Sequence, residues 1–155
     1  MRITIPGSGD LELNHLVLDF NGTIARDGKL LSNLDKTFGE LAEQYTIHVL
    51  TADTCSSVAR ELEGLPCRVQ ILESGQEAEQ KERYVISLGA DQVICLGNGC
   101  NDRLMLKAAR LGIAVLEGEG SAVSAILQAD MVARSIYDAM GMLLIPQRIV
   151  ATLRS

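Results

Sequence analysis

The sequence predicts an α/β fold: a three-layer, doubly wound, Rossmann-like and mostly parallel sheet with helices on both faces. Three observations predict it. Apolar strand-length runs alternate with helix-spaced segments about six times. The connections between them are short, and the strand segments are apolar throughout rather than every second residue. A parallel strand covered on both faces by crossover helices reads that way.

The elements follow in order. Arg2 to Ile5 reads as a short edge strand closed by Pro6-Gly7-Ser8-Gly9. Residues 12–19 are the first core strand: Leu16, Val17 and Leu18 run up to Asp19, and Asn21-Gly22-Thr23 is turn chemistry. Leu34, Phe38, Leu41 and Ala42 have helical spacing and predict a helix over 34–44. A second strand over 46–50 ends at Thr51-Ala52-Asp53, and Thr54 or Ser56 caps the helix carrying Val58, Ala59 and Leu62. Gly64 and Pro66 stop that helix, and a third strand occupies 68–72. A polar-faced helix over 77–88 contains Lys81 and ends at Gly89. The fourth strand, 93–96, runs into Gly97-Asn98-Gly99-Cys100-Asn101-Asp102. A helix to about Arg110, a strand at 112–116, a helix at 122–128 and a last strand at 131–133 complete the alternation. The tail from Ile136 to Leu153 is helical in pattern and broken near Pro146.

Length and composition bound the rest. A chain of 155 residues with 47% hydrophobic residues is read as one domain, 1–155, with a full core. Aromatics are only 3%, so that core is built from Leu, Ile, Val and Ala. A net charge of -6 without a Lys/Arg run argues against nucleic acid or an anionic membrane as partner. No apolar run reaches the roughly 18 residues of a membrane span, and the N-terminus lacks the pattern of a signal peptide. Cys55, Cys67, Cys95 and Cys100 form no CxxC pair, so reduced thiols in a cytoplasmic protein are expected. His15 and His48 fall within strands and read as structural.

In this alternation Asp19, Thr51 and the 97–102 loop all fall at carboxyl ends of strands, which meet at one rim of such a sheet. Lys81, on the segment entering the fourth strand, is within reach of that rim. A carboxylate, a hydroxyl, a lysine and an Asn/Asp-rich glycine loop in one crevice suit phosphoryl transfer. That reaction needs a nucleophile, donors to the phosphoryl oxygens and a divalent metal.

The elements DFNGT, TAD, Lys81 and GNGCND, in that order, resemble the four motifs of the haloacid dehalogenase-like hydrolases. The similarity is greatest to the phosphorylation domain of P-type ATPases and their free-standing relatives, whose signatures are D-K-T-G-T and G-D-G-x-N-D. Leu104-Met105-Leu106, Gly112-Ile113-Ala114-Val115 and Ala129-Asp130 extend the likeness from about residue 14 to about 135. The resemblance implies a nucleophile at Asp19 that becomes an aspartyl-phosphate. It implies that Thr51, Ala52 and Lys81, with Asn101, hold the phosphoryl group. It places Mg²⁺ at Asp19, the backbone carbonyl of Asn21, Asn98 and Asp102, all hard oxygen donors.

Two departures bear on turnover. Most phosphatases of the superfamily carry Asp two residues after the nucleophile as general acid and base, where this chain has Asn21. An amide cannot transfer a proton at neutral pH, and such help is typically worth about 10²–10⁴-fold. Asn98 stands where the pattern has a metal-binding Asp. Both are Asn-Gly steps, which are prone to deamidation. Slow turnover favouring aryl or acyl phosphates is therefore expected. Asp53 reads as a rim group or helix cap, and Cys100 as an ordinary loop thiol.

The segments from Asp19 to Thr51 and from Thr51 to Lys81 are each used up by a helix and its connections. No cap domain fits between the motifs, so the crevice is expected to be open to a phosphorylated small molecule or a larger phospho-substrate. By similarity to capless relatives, a homo-oligomer is expected, with the 136–153 tail as either its surface or part of the chain's own core. The alternatives to a phosphatase are a catalytically impaired phosphate- and metal-binding module, and a detached pump domain serving as a subunit.

Overall fold

The computed structural model describes residues 1–7, 9–52 and 57–155, Ser57 by its backbone alone. A hairpin of β1 (Arg2–Ile5) and β2 (Gly9–Glu12) leads into the central strand β3 (His15–Asp19). A two-residue ribbon, β4 (Ala25–Arg26) and β5 (Lys29–Leu30), precedes α1 (Asp35–Ala42), β6 (Thr46–Thr51), α2 (Ser57–Glu61) and β7 (Arg68–Ile71). The second half runs α3 (Glu77–Ser87), β8 (Val93–Gly97), α4 (Arg103–Ala108), β9 (Leu111–Val115), α5 (Val123–Ile126), β10 (Met131–Ala133), α6 (Ile136–Leu144) and α7 (Gln147–Leu153). Short 3₁₀ turns lie at Ala90–Gln92 and Cys100–Asp102.

Six strands form one sheet in the order β10-β9-β8-β3-β6-β7, every pair parallel. The main sheet begins at β3, builds outward through β6 and β7, then returns to the other side of β3 with β8. The order reverses between β3 and β8, and a crevice at the carboxyl ends of strands opens at such a switch point. Side chains alternate across β3: Leu16 and Leu18 join the core that also holds Phe38, Val58, Met140 and Ile149. Val17 joins the opposite layer with Val85, Met105, Leu106 and Ala125. Helices therefore cover both faces, as the apolar strands require.

Two expectations need correction, and one element is new. The strand expected over 12–19 is two elements, because the backbone leaves the ladder at Leu13 and Asn14: their N–H groups donate to Met1 O at 2.7 Å and Gln92 O at 2.9 Å. Arg2 to Ile5 is not an edge of the main sheet; it pairs antiparallel with β2 and presses Ile3, Ile5 and Leu11 onto the core. The β4–β5 ribbon was not foreseen. Its turn is Asp27-Gly28 with φ of 50° and 75°, an Asp-Gly signal for a tight hairpin that stands openly in the sequence. The caps expected at Thr54 or Ser56, the turn residue Ser8, and Asp53 with its rim or cap role lie outside the described residues, as does Cys55.

The tail resolves in favour of the chain's own core. Met140, Leu143 and Ile149 are fully buried, and Leu144, Val150 and Leu153 pack against the same cluster. The outer strand β7 is exposed along its length, yet its outward backbone is partly satisfied: Gln70 Nε2 donates to Ile71 O, and the Gln80 amide bonds both Glu73 N and Glu73 O. No helix among the described residues is long and apolar enough to cross a membrane.

Candidate active site

Asp19 ends β3, next to Leu50 of β6, so its carboxylate emerges at the switch point. The loop after β8 folds back as a 3₁₀ turn. Asp102 closes it, Oδ2 accepting from the backbone N–H groups of Asn98 and Gly99 at 2.9 and 2.8 Å. This approach is close: a Cβ at residue 97 would lie 2.6 Å from the Asp102 carboxylate carbon, so the position needs glycine. Ala78, Lys81 and Val85 form the inward face of α3 at helical spacing, which buries the Lys81 stem and aims its ammonium at the crevice. Glu79, Glu82 and Arg83, which made this helix read as polar, are not among its buried residues.

The ammonium joins the two acids. Lys81 Nζ lies 2.5 Å from Asp19 Oδ1 and 2.6 Å from Asp102 Oδ1, with all three groups buried. Burial pushes the Asp19 carboxyl above the usual carboxylate range and Asp102 adds to the shift, while Lys81 opposes it. For Lys81, burial alone would lower the pKa, but Asp19 and Asp102 outweigh it and hold the amine charged. Two carboxylates face one ammonium, and without a further cation the strain appears as proton uptake, the Asp19 carboxyl being pushed up to about 7; an added cation is favoured there because it lets both acids ionise.

Thr23 Oγ1 donates towards Asp19 Oδ2 at 3.2 Å and Asn98 Oδ1 at 3.3 Å. The Asn98 amide nitrogen donates to Gly120 O at 2.9 Å, tying the loop after β9 to the site. Gly22, at φ 80°, packs against this amide, and a Cβ there would sit 2.3 Å from Asn98 Nδ2. Asn98 is thus a tie between two loops: its nitrogen makes a bond that a carboxylate cannot make. The N–H groups that deamidation at the two Asn-Gly steps requires are engaged, Gly22 with Ala25 O and Gly99 with Asp102 Oδ2, each at 2.8 Å.

A cavity of about 320 Å³ between these strand ends brings together Asp19, Asn21, Thr51, Ala52, Lys81, Asn98 and Asn101. Asp102 lies beneath it, fully buried. Glu77 and Glu119 also line it and were not foreseen. Glu77 Oε2 accepts from Asn101 Nδ2 at 2.8 Å, so this glutamate orients the asparagine. Glu77 stands four residues before Lys81, a helical-face relation the sequence does display. Glu119 comes from a Gly-flanked loop that carries no local signal. A larger groove of about 720 Å³ lies between β7 and α3, lined by Gln70, Gln80, Arg83 and Tyr84 among others. It contains no paired acids at strand ends, and the smaller cavity is the one equipped for chemistry.

The donor set fits a hard divalent cation. Asp19, Asn21 and Asn98 line the crevice with Asp102 beneath it, and oxygen donors of this kind, completed by water and phosphate, would make the shell that Mg²⁺ prefers. Protein side chains alone do not form a cage: among the described residues, no three His, Cys, Asp or Glu side chains gather to hold a metal. Burial first, and then Asp102, push the Cys95 thiol well above its usual value, so it is not a second nucleophile.

No family model matches the chain. An uncharacterized protein of Methanocaldococcus jannaschii, MJ0073, is 46% identical over 63 residues, a match covering 41% of this chain and 68% of that protein. Among solved structures, the cobalt-bound deoxy-D-mannose-octulosonate 8-phosphate phosphatase of Haemophilus influenzae superposes with a TM-score of 0.71 at 13% identity, over 93% of this chain and 94% of its own. A hydrolase of the HAD superfamily, subfamily III A, from Legionella pneumophila gives 0.70 at 14% identity, over 91% and 87%. A zinc-transporting PIB-type ATPase gives 0.62 at 25% identity, over 79% of this chain and 20% of the pump. The two hydrolases share the whole architecture with this chain, and the pump shares it over one fifth of its length.

Proposed function

We propose that this chain, which belongs to the haloacid dehalogenase-like superfamily and to the family of the M. jannaschii relative, is a Mg²⁺-dependent phosphatase working through an aspartyl-phosphate at Asp19. The observation that carries the reading is Lys81 Nζ bridging Asp19 and Asp102 at 2.5 and 2.6 Å where the strand order reverses. An Asp19 oxygen attacks phosphorus, the ester oxygen departs, and water then releases phosphate and restores the carboxylate. Thr51, Ala52, Lys81 and Asn101 hold the phosphoryl oxygens, and Glu77 keeps the Asn101 amide in place. Asp19, the Asn21 carbonyl, Asn98 and Asp102 would hold Mg²⁺, which neutralises charge on the phosphoryl group when bound. Asn21 supplies no proton to the leaving group.

The substrate class is a phosphate ester or anhydride, on a small molecule or a larger phospho-substrate, since among the described residues no cap stands over the crevice. Cytoplasmic residence and homo-oligomerisation belong to the same reading, although the apolar tail is used within the chain. One observation favours the rival reading, a phosphate- and metal-binding module without turnover: the Asn98 amide is engaged as a tie to Thr23 and Gly120.

Hydrolysis of an aryl phosphate with and without Mg²⁺, comparing the native chain with Asp19→Asn, tests the reading. Metal-dependent release that falls to background in the variant is expected. The native rate on alkyl esters is expected to be lower by about 10²-fold or more, for want of a general acid. No release by either protein, with Mg²⁺ binding intact by calorimetry, would establish the rival.

A further inference from the structure

Release of phosphate from an aspartyl-phosphate requires a base for the attacking water, and Asn21 has no basic atom at the usual place. The carboxylates around the cavity differ in their availability. Asp19 carries the phosphoryl group, Asp102 is held by Lys81 and two backbone N–H groups, and Glu77, though its Oε1 is open, is committed through Oε2 to positioning the Asn101 amide. Glu119 is left. Its Oε1 accepts from the Asp27 N–H at 2.9 Å, and its Oε2 has no hydrogen-bond donor among the described residues.

Its loop is fixed to the site from both sides. Gly120 O accepts from Asn98 Nδ2, and Asn98 O accepts from the Ala122 N–H at 2.8 Å and from Ser121 Oγ at 3.1 Å. Glu117 Oε1 anchors the start of the loop on the Ile136 N–H at 2.7 Å. Asp27 lies on the β4–β5 turn that follows the nucleophile strand, so Glu119 spans the two loops flanking Asp19. Glu119 is itself exposed where it lines the cavity, so solvent water reaches its carboxylate while its loop stays tied to the site.

We infer that Glu119 is the general base for hydrolysis of the aspartyl-phosphate, taking over a duty that Asn21 cannot perform; the inference rests on the phosphatase reading above. Glu119 Oε2 takes a proton from water as the water oxygen bonds to phosphorus. The bond from phosphorus to the Asp19 oxygen breaks, its electron pair returns to the carboxylate, and inorganic phosphate leaves. Glu119 then gives its proton to solvent. The leaving-group step is untouched, so the preference for aryl over alkyl esters stands.

The test is a rapid-quench experiment with an aryl phosphate and Mg²⁺ on the full chain. Glu119→Gln is expected to release aryl alcohol in a burst equal to the enzyme concentration. Steady turnover then slows by about 10²–10⁴-fold, and acid-stable phosphoenzyme accumulates. Glu119→Ala is expected to do the same, with formate restoring turnover in proportion to its concentration, a rescue that a merely structural role would not show. Turnover of Glu119→Gln within about threefold of native, or slowing without a burst, overturns the inference while leaving Asp19 as the nucleophile. If the native chain turns over but its rate survives Asp19→Asn, the aspartyl-phosphate reading falls and the inference with it.

Discussion

Helix α3 turns two polar side chains, three residues apart, towards the sheet, and the sheet treats them differently. Lys81 reaches the carboxyl ends of β3 and β8, where it meets Asp19 and Asp102. Tyr84 OH meets His48 Nδ1 of β6 at 2.9 Å, and His48 Nε2 meets His15 Nδ1 at 3.2 Å, His15 being the first residue of β3. The first group is ionic, two acids sharing one ammonium. The second is neutral: burial, then His15 and Arg68, pull the His48 imidazole down to about 4, and burial lowers His15 as well. Each buried side-chain N or O atom among the described residues has a partner, so both regions are fully paired. Buried polarity by itself therefore does not mark a site. An unbalanced charge does, placed where parallel strands end in a crevice.

Lys81→Met is the harshest way to break the comparison. It leaves two buried carboxylates facing each other without a counter-ion, at a cost of about 3–5 kcal/mol, and it stops turnover. On the proposed function Mg²⁺ would neutralise the same acids, so part of that loss is expected to return on adding metal. Urea unfolding of native and variant chains, with and without Mg²⁺, measures both. A variant as stable as the native chain in metal-free buffer would show that the acids are not coupled through Lys81.

The contrast also explains what was legible in the sequence. Asp19, Thr51, Asp102 and the doubly wound sheet are carried by apolar runs ending in polar loops, a local pattern. Lys81 was ambiguous locally, since Glu77, Glu79, Glu82 and Arg83 surround it in the chain. Ala78, Lys81 and Val85 at helical spacing are the pattern that separates its face from that of Glu79, Glu82 and Arg83, while Glu77 shares its cavity. The tie from Asn98 to Gly120 and the place of Glu119 depend on how two distant loops pack, and neither leaves a local trace. The break at Leu13-Asn14 has the same character, because its hydrogen bonds go to Met1 and Gln92.

The neutral region responds to pH rather than to metal. Unfolded histidine titrates near 6.5 and folded His48 near 4, so below about pH 6.5 the unfolded chain binds a proton that the folded chain refuses. Stability is then lost as pH falls from about 6.5 to about 4, by up to about 3 kcal/mol for this residue, and levels off below. His48→Phe is expected to cost about 1–3 kcal/mol at neutral pH through the partners it strands, and to flatten that acid limb, with turnover unchanged. Unfolding midpoints at pH 7, 5.5 and 4 decide it; an undiminished acid limb in the variant would locate the titration elsewhere.

Asn98 sits between the two kinds of region, and Asn98→Asp shows to which it belongs. As the amide it is a neutral tie, donating to Gly120 O and accepting from Thr23. As the acid it adds a negative charge beside Asp19 and Asp102 and loses the bond to Gly120. Without metal, the variant is expected to be less stable by roughly 1–2 kcal/mol. With Mg²⁺ the sign of the argument changes, because a third carboxylate strengthens the site, and a lower Mg²⁺ concentration should give half-maximal stabilisation. Thermal midpoints followed through a Mg²⁺ titration should then converge or cross between the two proteins. Parallel curves would mean that Asn98 does not touch the metal, leaving its hold on the Glu119 loop as its reason to be an amide.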